Sequence, residues 1–287
     1  MHSQPRATMT TASIVTYRTD PSELSACLGC LVADGIERIL VVDNTADGTL
    51  TDARDAIRKV CLQFNNVEFI PMPENRGYGT AHNVAIRLSM EMNARYHLVI
   101  NSDVTFAQGT IAAIETFMDN RPDVGQLHPR MVFPDGREQL SVRLLPTPLD
   151  VFGRRFIPGF RNSRRNARYT LVSMRRDREA NVPYHQGSFM FLRNVTLRHT
   201  GLFDERFFMY PEDIDLTRRI HAVATTLYWP GATVVHAHRA ASYRSMRMAW
   251  IHAVNMVRYF NKWGWFRDQE RRLVNAATIR EVEGEIL

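Results

Sequence analysis

The chain is poor in cysteine, has no long apolar run and lacks a glycine-rich dinucleotide signature, and each shortage removes a class of function. Its three cysteines, Cys27, Cys30 and Cys61, are too few for a disulfide framework in 287 residues. Cys27 and Cys30 form a C-x-x-C, but with no second pair and no nearby histidine this fits neither a zinc site nor a redox motif. All three read as small buried hydrophobes in a reducing cytosol. Apolar runs such as Leu98 to Ile100 stop far short of the roughly 20 residues a membrane span needs. The stretch from Met1 to Thr11 has no apolar core of a secretory signal, so the protein is expected to stay in the cytoplasm where it is made. No G-x-G-x-x-G follows the first strand, which argues against a dinucleotide fold, and there is no internal repeat or low-complexity tract.

What is present begins with a 45% apolar content, ample for a core, and an excess of 36 basic over 30 acidic residues, a net charge of +6. The excess is concentrated. Arg154, Arg155, Arg161, Arg164, Arg165, Arg168, Arg175, Arg176 and Arg178 crowd one segment opposed by Asp177 and Glu179. Such a block attracts polyanions: nucleic acid, acidic lipid headgroups or a diphosphate. The alternative is a solvated loop without a dedicated ligand. Nucleic acid is disfavoured because the arginines lack interleaved aromatics for base stacking.

Over about the first 120 residues, four short β-branched or apolar runs (12–17, 38–42, 67–70 and 96–100) alternate with four stripes at helical spacing. Arg18-Thr19-Asp20-Pro21 ends the first run and opens a helix, Asp34-Gly35 closes that helix, and Asp47-Gly48 marks a turn after the second strand. This rhythm predicts an α/β fold with a mostly parallel, doubly wound, Rossmann-like sheet. From Asp123 the rhythm changes to short strand candidates, 125–128, 131–133, 188–192, 227–229 and 233–236, separated by long loops. A last stripe of Met246, Trp250, Val254, Val257 and Phe260, with Tyr243, Arg244, Arg247, Arg258 and Lys262 interleaved, leads to Trp263-Gly264-Trp265-Phe266. It suits either an amphipathic helix resting on a membrane face or a terminal helix packed on the body.

Three stretches carry chemistry. Tyr96 to Ile100 runs into Asn101-Ser102-Asp103, which reads as a buried parallel strand delivering a carboxylate to its C-terminal edge, where open α/β sheets place ligands. Beside an anionic nucleotide, Asp103 would need a divalent cation of the Mg²⁺ or Mn²⁺ kind, although a strand-end turn capping the next helix accounts for the same residues. Pro73-Glu74-Asn75-Arg76-Gly77-Tyr78-Gly79-Thr80 sets two glycines at the mouth of a helix, where backbone can approach a phosphate or base. Phe207 to Tyr210 and Pro211 precede Glu212, Asp213 and Asp215 at a helix start. Helix capping explains part of this, but three acids behind an aromatic run exceed what a cap needs. Partial dehydration would give one of them the basicity to take a proton from a hydroxyl.

Taken together, the Val-Thr-Tyr strand, Val-Asp-Asn, Asn-Arg-Gly-Tyr-Gly, Asn-Ser-Asp, Gly-Ser-Phe-Met-Phe-Leu-Arg, Glu-Asp-Ile-Asp and the late His236 resemble the motifs of inverting, metal-dependent GT-A glycosyltransferases of family 2, especially the rhamnosyltransferase-like branch. The resemblance runs from about Ser13 to His238 and more weakly to Lys262. It implies a GT-A fold, with residues 1–122 as the nucleotide-sugar-binding half, 123–240 as the acceptor-binding and catalytic half and 241–287 as a C-terminal helical region. It implies that Thr16 and Tyr17 line the base, that Asp43 binds the pyrimidine edge, and that Asn75, Arg76 and Gly77 lie against base, ribose and diphosphate. Asn101, Ser102 and Asp103 would face the nucleotide sugar. Asp103 would hold Mg²⁺ or Mn²⁺ with His236 as second ligand, Asn101 replacing the usual first acid of the motif. Gly187 and Ser188 would lie beside the acceptor, and Asp213 would be the base, supported by Glu212 and Asp215. The implied reaction moves a sugar, L-rhamnose from dTDP-rhamnose, to a hydroxyl of a saccharide or lipid-linked saccharide acceptor in bacterial surface polysaccharide synthesis. A UDP-hexose donor is the alternative, and a nucleotidyltransferase a more distant one. The arginine block and the tryptophan-ended helix would suit peripheral contact with the inner membrane surface.

Overall fold

The structure, a computed structural model, describes residues 9–45, 51–237 and 246–284. The Asp47-Gly48 turn, most of the stretch from Met1 to Thr11, and Tyr243 and Arg244 lie outside them. Four βα units come first: β1 (Thr10–Thr16), α1 (Pro21–Ala33), β2 (Arg38–Asp43), α2 (Thr51–Cys61), β3 (Val67–Pro71), α3 (Tyr78–Glu91), β4 (Tyr96–Ile100) and, after the short β5 (Val104–Phe106), α4 (Thr110–Asn120). Asp20 caps α1 by accepting the Ser22 N–H, and Pro21 sits in its first turn, where a missing N–H costs nothing. Leu24, Cys27, Leu28 and Leu31 give α1 its buried face against the sheet.

The second half contributes β6 (Val124–Val132), β7 (Val142–Arg143), α5 (Pro148–Phe156), a 3₁₀ turn at Phe160–Asn162, α6 (Arg164–Tyr169), β8 (Ala180–Asn181), β9 (Tyr184–His185), β10 (Phe189–Arg193), α7 (Asn194–Thr200), α8 (Pro211–His221), β11 (Thr225–His236), α9 (Met246–Trp263) and α10 (Gln269–Gly284). The main sheet runs β3-β2-β1-β4-β10-β6-β11-β5, with β8 on β11. β3, β2, β1 and β4 are parallel, as the alternating pattern predicts; β10 is inserted antiparallel between β4 and β6. The candidates 125–128 and 131–133 fall on the single strand β6, and 227–229 and 233–236 fall on β11, which carries a register shift between Trp229 and Thr233. Pro230-Gly231 interrupts the apolar pattern there without ending the strand, as a bulge allows.

The core lies on both faces of β1, β2 and β4, whose residues Ile39 to Val42 and Leu98 to Ile100 are fully buried. A smaller apolar cluster of Leu145, Tyr184, Phe207, Ile214, Met256, Tyr259 and Phe260 binds α9 to α8. The last two turns of α9 are thus packed on the body, whereas Met246 and Trp250 near its start are 86% and 71% exposed. Among the described residues no helix is long and apolar enough to cross a membrane.

Candidate active site

The parallel strands all end at one edge of the sheet, and this edge collects the polar residues. At the end of β1, the Thr16 hydroxyl donates to Asp43 Oδ1 at 2.8 Å, and Arg54 Nε of α2 donates to Asp43 Oδ2 at 2.9 Å. Asp43 is fully buried, its two oxygens shared between these partners, so it underlies the edge while Tyr17, 44% exposed, forms its open wall. Arg54 is absent from the sequence-based candidates because a lone arginine on an amphipathic helix carries no motif.

Gly77 adopts φ +90°, a conformation glycine takes without cost. Its N–H donates to Asn75 Oδ1 at 3.0 Å, its carbonyl accepts from Asn44 Nδ2 at 3.0 Å, and a Cβ there would overlap the Phe208 carbonyl. The glycine therefore lets the loop before α3 lie flat against the loop before α8. Arg76 points outward, half exposed, with Nε 3.7 Å from Glu74.

Asp103 and His236 come from distant parts of the chain. They meet because β11 pairs antiparallel with β5, placing His236 opposite Val104, with the Ala237 N–H donating to the Asp103 carbonyl at 3.0 Å. His236 Nε2 lies 3.3 Å from Asp103 Oδ1, and its Nδ1 is 3.0 Å from Gln139 Oε1. An amide oxygen can only accept, so Nδ1 carries a proton, and Nε2 is the ring nitrogen turned toward Asp103. This is the arrangement of a metal-ligating histidine, with an outer partner fixing its tautomer. One carboxylate and one imidazole, with no group of three acidic, histidine or cysteine ligands among the described residues, fit a divalent cation that takes its remaining ligands from phosphates and water. Ser102 lies in the turn between Asn101 and Asp103.

A cavity of about 420 Å³ opens beside this pair, lined by Asn101, His236, Gly187, Ser188, Glu212 and Asp213, with Tyr78 between the two groups. The Tyr78 hydroxyl lies 2.9 Å from Asn101 Oδ1 and 2.8 Å from the Gly187 carbonyl, tying the end of β4 to the segment before β10. Burial first, then the charges of Glu212, Asp213 and Asp103, hold the Tyr78 phenol well above its ordinary range, so the three acids surround one side chain. Asp213 lines this cavity and Asp103 does not: Asp103, Ser102, Thr16, Tyr17, Asp43, Asn75, Arg76 and Gly77 lie outside the lining, and Asp103 meets the cavity through His236.

Asp213 stands in the first turn of α8, which starts from Tyr210 at φ +92°, an uncommon conformation for a residue with a side chain. Its carboxylate accepts the Gly187 N–H at 3.0 Å and the Ile214 N–H at 2.8 Å. Burial outweighs these bonds and pushes Asp213 up to about 7. Burial, and then the neighbouring Asp213 charge, hold Glu212 well above the usual carboxylate range, so the two adjacent acids do not ionise independently.

Asp215 does not join them. Two residues along a helix turn the side chain about 200° away, and Asp215 instead pairs with Arg219 at 2.9 Å, Lys262 at 2.6 Å and the Trp263 indole N–H at 2.8 Å. It anchors α9 to α8. Arg143, Tyr184 and Gln186 also line the cavity and carry no sequence signal, being single polar residues in irregular chain.

The chain is similar to known proteins both in sequence and in fold. Residues 11–199 match the model of glycosyl transferase family 2. Over 241 residues the chain is 30% identical to an N-acetylglucosaminyl-diphospho-decaprenol L-rhamnosyltransferase of Mycobacterium tuberculosis (strain H37Rv), covering 79% of this chain and 75% of that one. In three dimensions it resembles a mannosyltransferase from Pyrobaculum calidifontis in complex with GDP-Man and Mn²⁺, with a TM-score of 0.55, 15% identity and coverage of 96% of this chain and 75% of that chain. It also resembles GalNAc-T7 with UDP, GalNAc and Mn²⁺, with a TM-score of 0.63, 13% identity and coverage of 99% of this chain and 52% of the other.

Proposed function

The chain belongs to glycosyltransferase family 2, and from that membership we propose that it is an inverting transferase moving a sugar from a nucleotide donor to a hydroxyl of a lipid-linked saccharide. The observation that carries the proposal is Asp213: a buried carboxylate held near neutrality, in the same cavity as Asn101 and His236. A group that titrates near the working pH is ionised often enough to accept a proton and basic enough to keep it.

Asp213 takes the proton of the acceptor hydroxyl as that oxygen attacks the anomeric carbon. The bond from that carbon to the phosphate oxygen breaks, and its electron pair leaves with the nucleoside diphosphate. One displacement from the opposite face inverts the centre. The Gly187 N–H fixes the orientation of the Asp213 carboxylate, and burial disfavours a second negative charge on Glu212 beside it. Asp103 and His236 would hold Mg²⁺ or Mn²⁺, which supplies positive charge to the departing diphosphate. With one carboxylate in place of two, the protein's own affinity for the ion is modest and gains from the donor's phosphates. Asn101, hydrogen-bonded to Tyr78, keeps the end of β4 in register with the acceptor side.

We assign the donor as dTDP-rhamnose, supported by the name of the mycobacterial relative; a UDP-activated hexose is the second reading, supported by a 26% match over 188 residues to a low-salt glycan biosynthesis hexosyltransferase of Haloferax volcanii. Synthesis of a bacterial surface polysaccharide on the cytoplasmic face of the membrane is the setting this chemistry fits. A thermal-shift panel of UDP-, dTDP- and GDP-sugars with and without Mn²⁺ tests it, because a ligand bound only by the native state raises the melting temperature. A Mn²⁺-dependent shift with dTDP-rhamnose is expected. No shift with any sugar nucleotide would overturn the proposal.

A further inference from the structure

Three arginines of the basic segment, Arg154, Arg155 and Arg161, line two concavities at once. On one side is the cavity containing Asp213, to which Arg143 contributes a fourth guanidinium. On the other is a shallower space of about 520 Å³, completed by Phe156, Ile157, Pro158, Gly159 and Asn162. Phe156 and Ile157 are 68% and 49% exposed at this second site. The charge around them is one-sided: from residue 151 to residue 176 the chain carries eight arginines and no acid. Asp150, at the edge of the first cavity, is paired with Arg165 at 2.8 Å. Arg154 is oriented by Asn166 Oδ1 at 2.8 Å and by the face of Tyr169, 5.6 Å from its guanidinium carbon to the ring centre, so the cluster is built on α5 and α6.

A base, then a group of guanidinium ions, then exposed apolar side chains is the order of polarity along a molecule with a sugar, a diphosphate and a hydrocarbon tail. We propose that Arg154, Arg155 and Arg161 form a diphosphate subsite that holds the acceptor at the boundary between the two concavities, with its sugar toward Asp213 and its tail over Phe156 and Ile157. Guanidinium forks match phosphate oxygens in pairs, and a tail leaving across apolar residues is shielded from water. The subsite rests on the transferase reading for its sugar end and deepens it by assigning the residues that hold the diphosphate and the tail. Because base and arginines share a cavity of only about 420 Å³, the attacked hydroxyl belongs to a sugar at or next to the diphosphate. The enzyme therefore acts at the start of a chain and takes its acceptor from a reaction that places a sugar phosphate on a lipid phosphate.

Calorimetry with octyl diphosphate, inorganic pyrophosphate and octyl β-glucoside, each with the donor side filled by nucleoside diphosphate and Mn²⁺, tests the subsite directly. Octyl diphosphate is expected to bind one-to-one and at least tenfold more tightly than either of the other probes. R155A/R161A should lose at least tenfold of that affinity, and F156S/I157S should bring octyl diphosphate down to the level of pyrophosphate. No binding of octyl diphosphate to the wild-type protein, or equal binding of pyrophosphate, would overturn the proposal even if the variants fail to fold. Transfer assays separate this from the parent reading. Equal kcat/KM for an octyl glycoside and its diphosphate-linked counterpart would remove the subsite and leave the transferase. Tight octyl diphosphate binding without transfer from any sugar nucleotide would do the reverse.

Discussion

Replacing Asp213 by asparagine removes the charge while keeping the shape, and its consequences for stability and for catalysis have opposite signs at neutral pH. Burial pushes Asp213 up to about 7, against an ordinary aspartate near 3.9, so holding it ionised inside the fold costs about 4 kcal/mol at pH 8. The folded protein binds this proton more tightly than the unfolded chain does. The cost is therefore nearly absent below about pH 4, grows as pH rises, and is complete above about 7. Asparagine never bears it. The amide has a single oxygen, however, where the carboxylate accepts both the Gly187 and Ile214 N–H groups, so one donor is left facing an NH₂, at about 1–3 kcal/mol. Asp213→Asn should therefore be more stable than wild type by about 1–3 kcal/mol at pH 8 and less stable by about 1–2 kcal/mol at pH 4. Denaturant titrations at the two values read the crossing directly. The same variant should bind donor nucleotide normally and lose sugar transfer by roughly 10²-fold or more. Near-wild-type turnover would reject Asp213 as the base, and a stability difference independent of pH would reject the buried-charge account.

In the wild-type protein, kcat/KM for transfer should fall as pH drops below about 7, when Asp213 becomes protonated; a flat profile between pH 5.5 and 8 would contradict this. Asp103→Ala and His236→Ala should each weaken Mn²⁺-dependent donor binding about 10- to 100-fold by calorimetry, and donor affinity unchanged with and without Mn²⁺ would count against the pair. Gly77→Ala forces a side chain into a positive φ and onto the Phe208 carbonyl, and should cost roughly 3 kcal/mol or more in chemical denaturation. Arg218, 2% exposed and bonded to Asp268 at 2.8 Å over the Trp263 ring, ties α8 to the start of α10. Arg218→Met should cost about 3–5 kcal/mol because it leaves a buried carboxylate without its partner; a loss below about 1 kcal/mol would show that the pair carries little of the docking energy.

The parallel half of the sheet was legible because buried strands and amphipathic helices write different periods, and Asp20-Pro21 and Asp34-Gly35 mark the ends of α1. The antiparallel placement of β10 was not, since Phe189 to Arg193 reads as an apolar run whichever way it points. Asp103, Glu212, Asp213 and His236 stood out as polar residues closing apolar stretches, and the structure lines one cavity with Glu212, Asp213 and His236 while setting Asp103 against His236 at its edge. Asp215 shared their motif but faces α9, because helical rotation separates neighbours that a one-dimensional motif groups together. Arg143 and Arg54 gave no signal, and Tyr78 stood in the Asn-Arg-Gly-Tyr-Gly motif without a role of its own: each matters through a partner far along the chain, and composition holds no record of that distance.

Antiparallel pairing of β5 with β11 brings His236 to Asp103, 133 positions away, and in the finished sheet β10 and β6 lie between β4 and β11. A ribosome that has released the first 200 residues has produced β1 to β4 and β10, yet not His236, the side chain that meets Asp103. With the metal pair proposed above, sugar-nucleotide turnover would await the last strand, and a chain released short of it would spend no donor on idle hydrolysis.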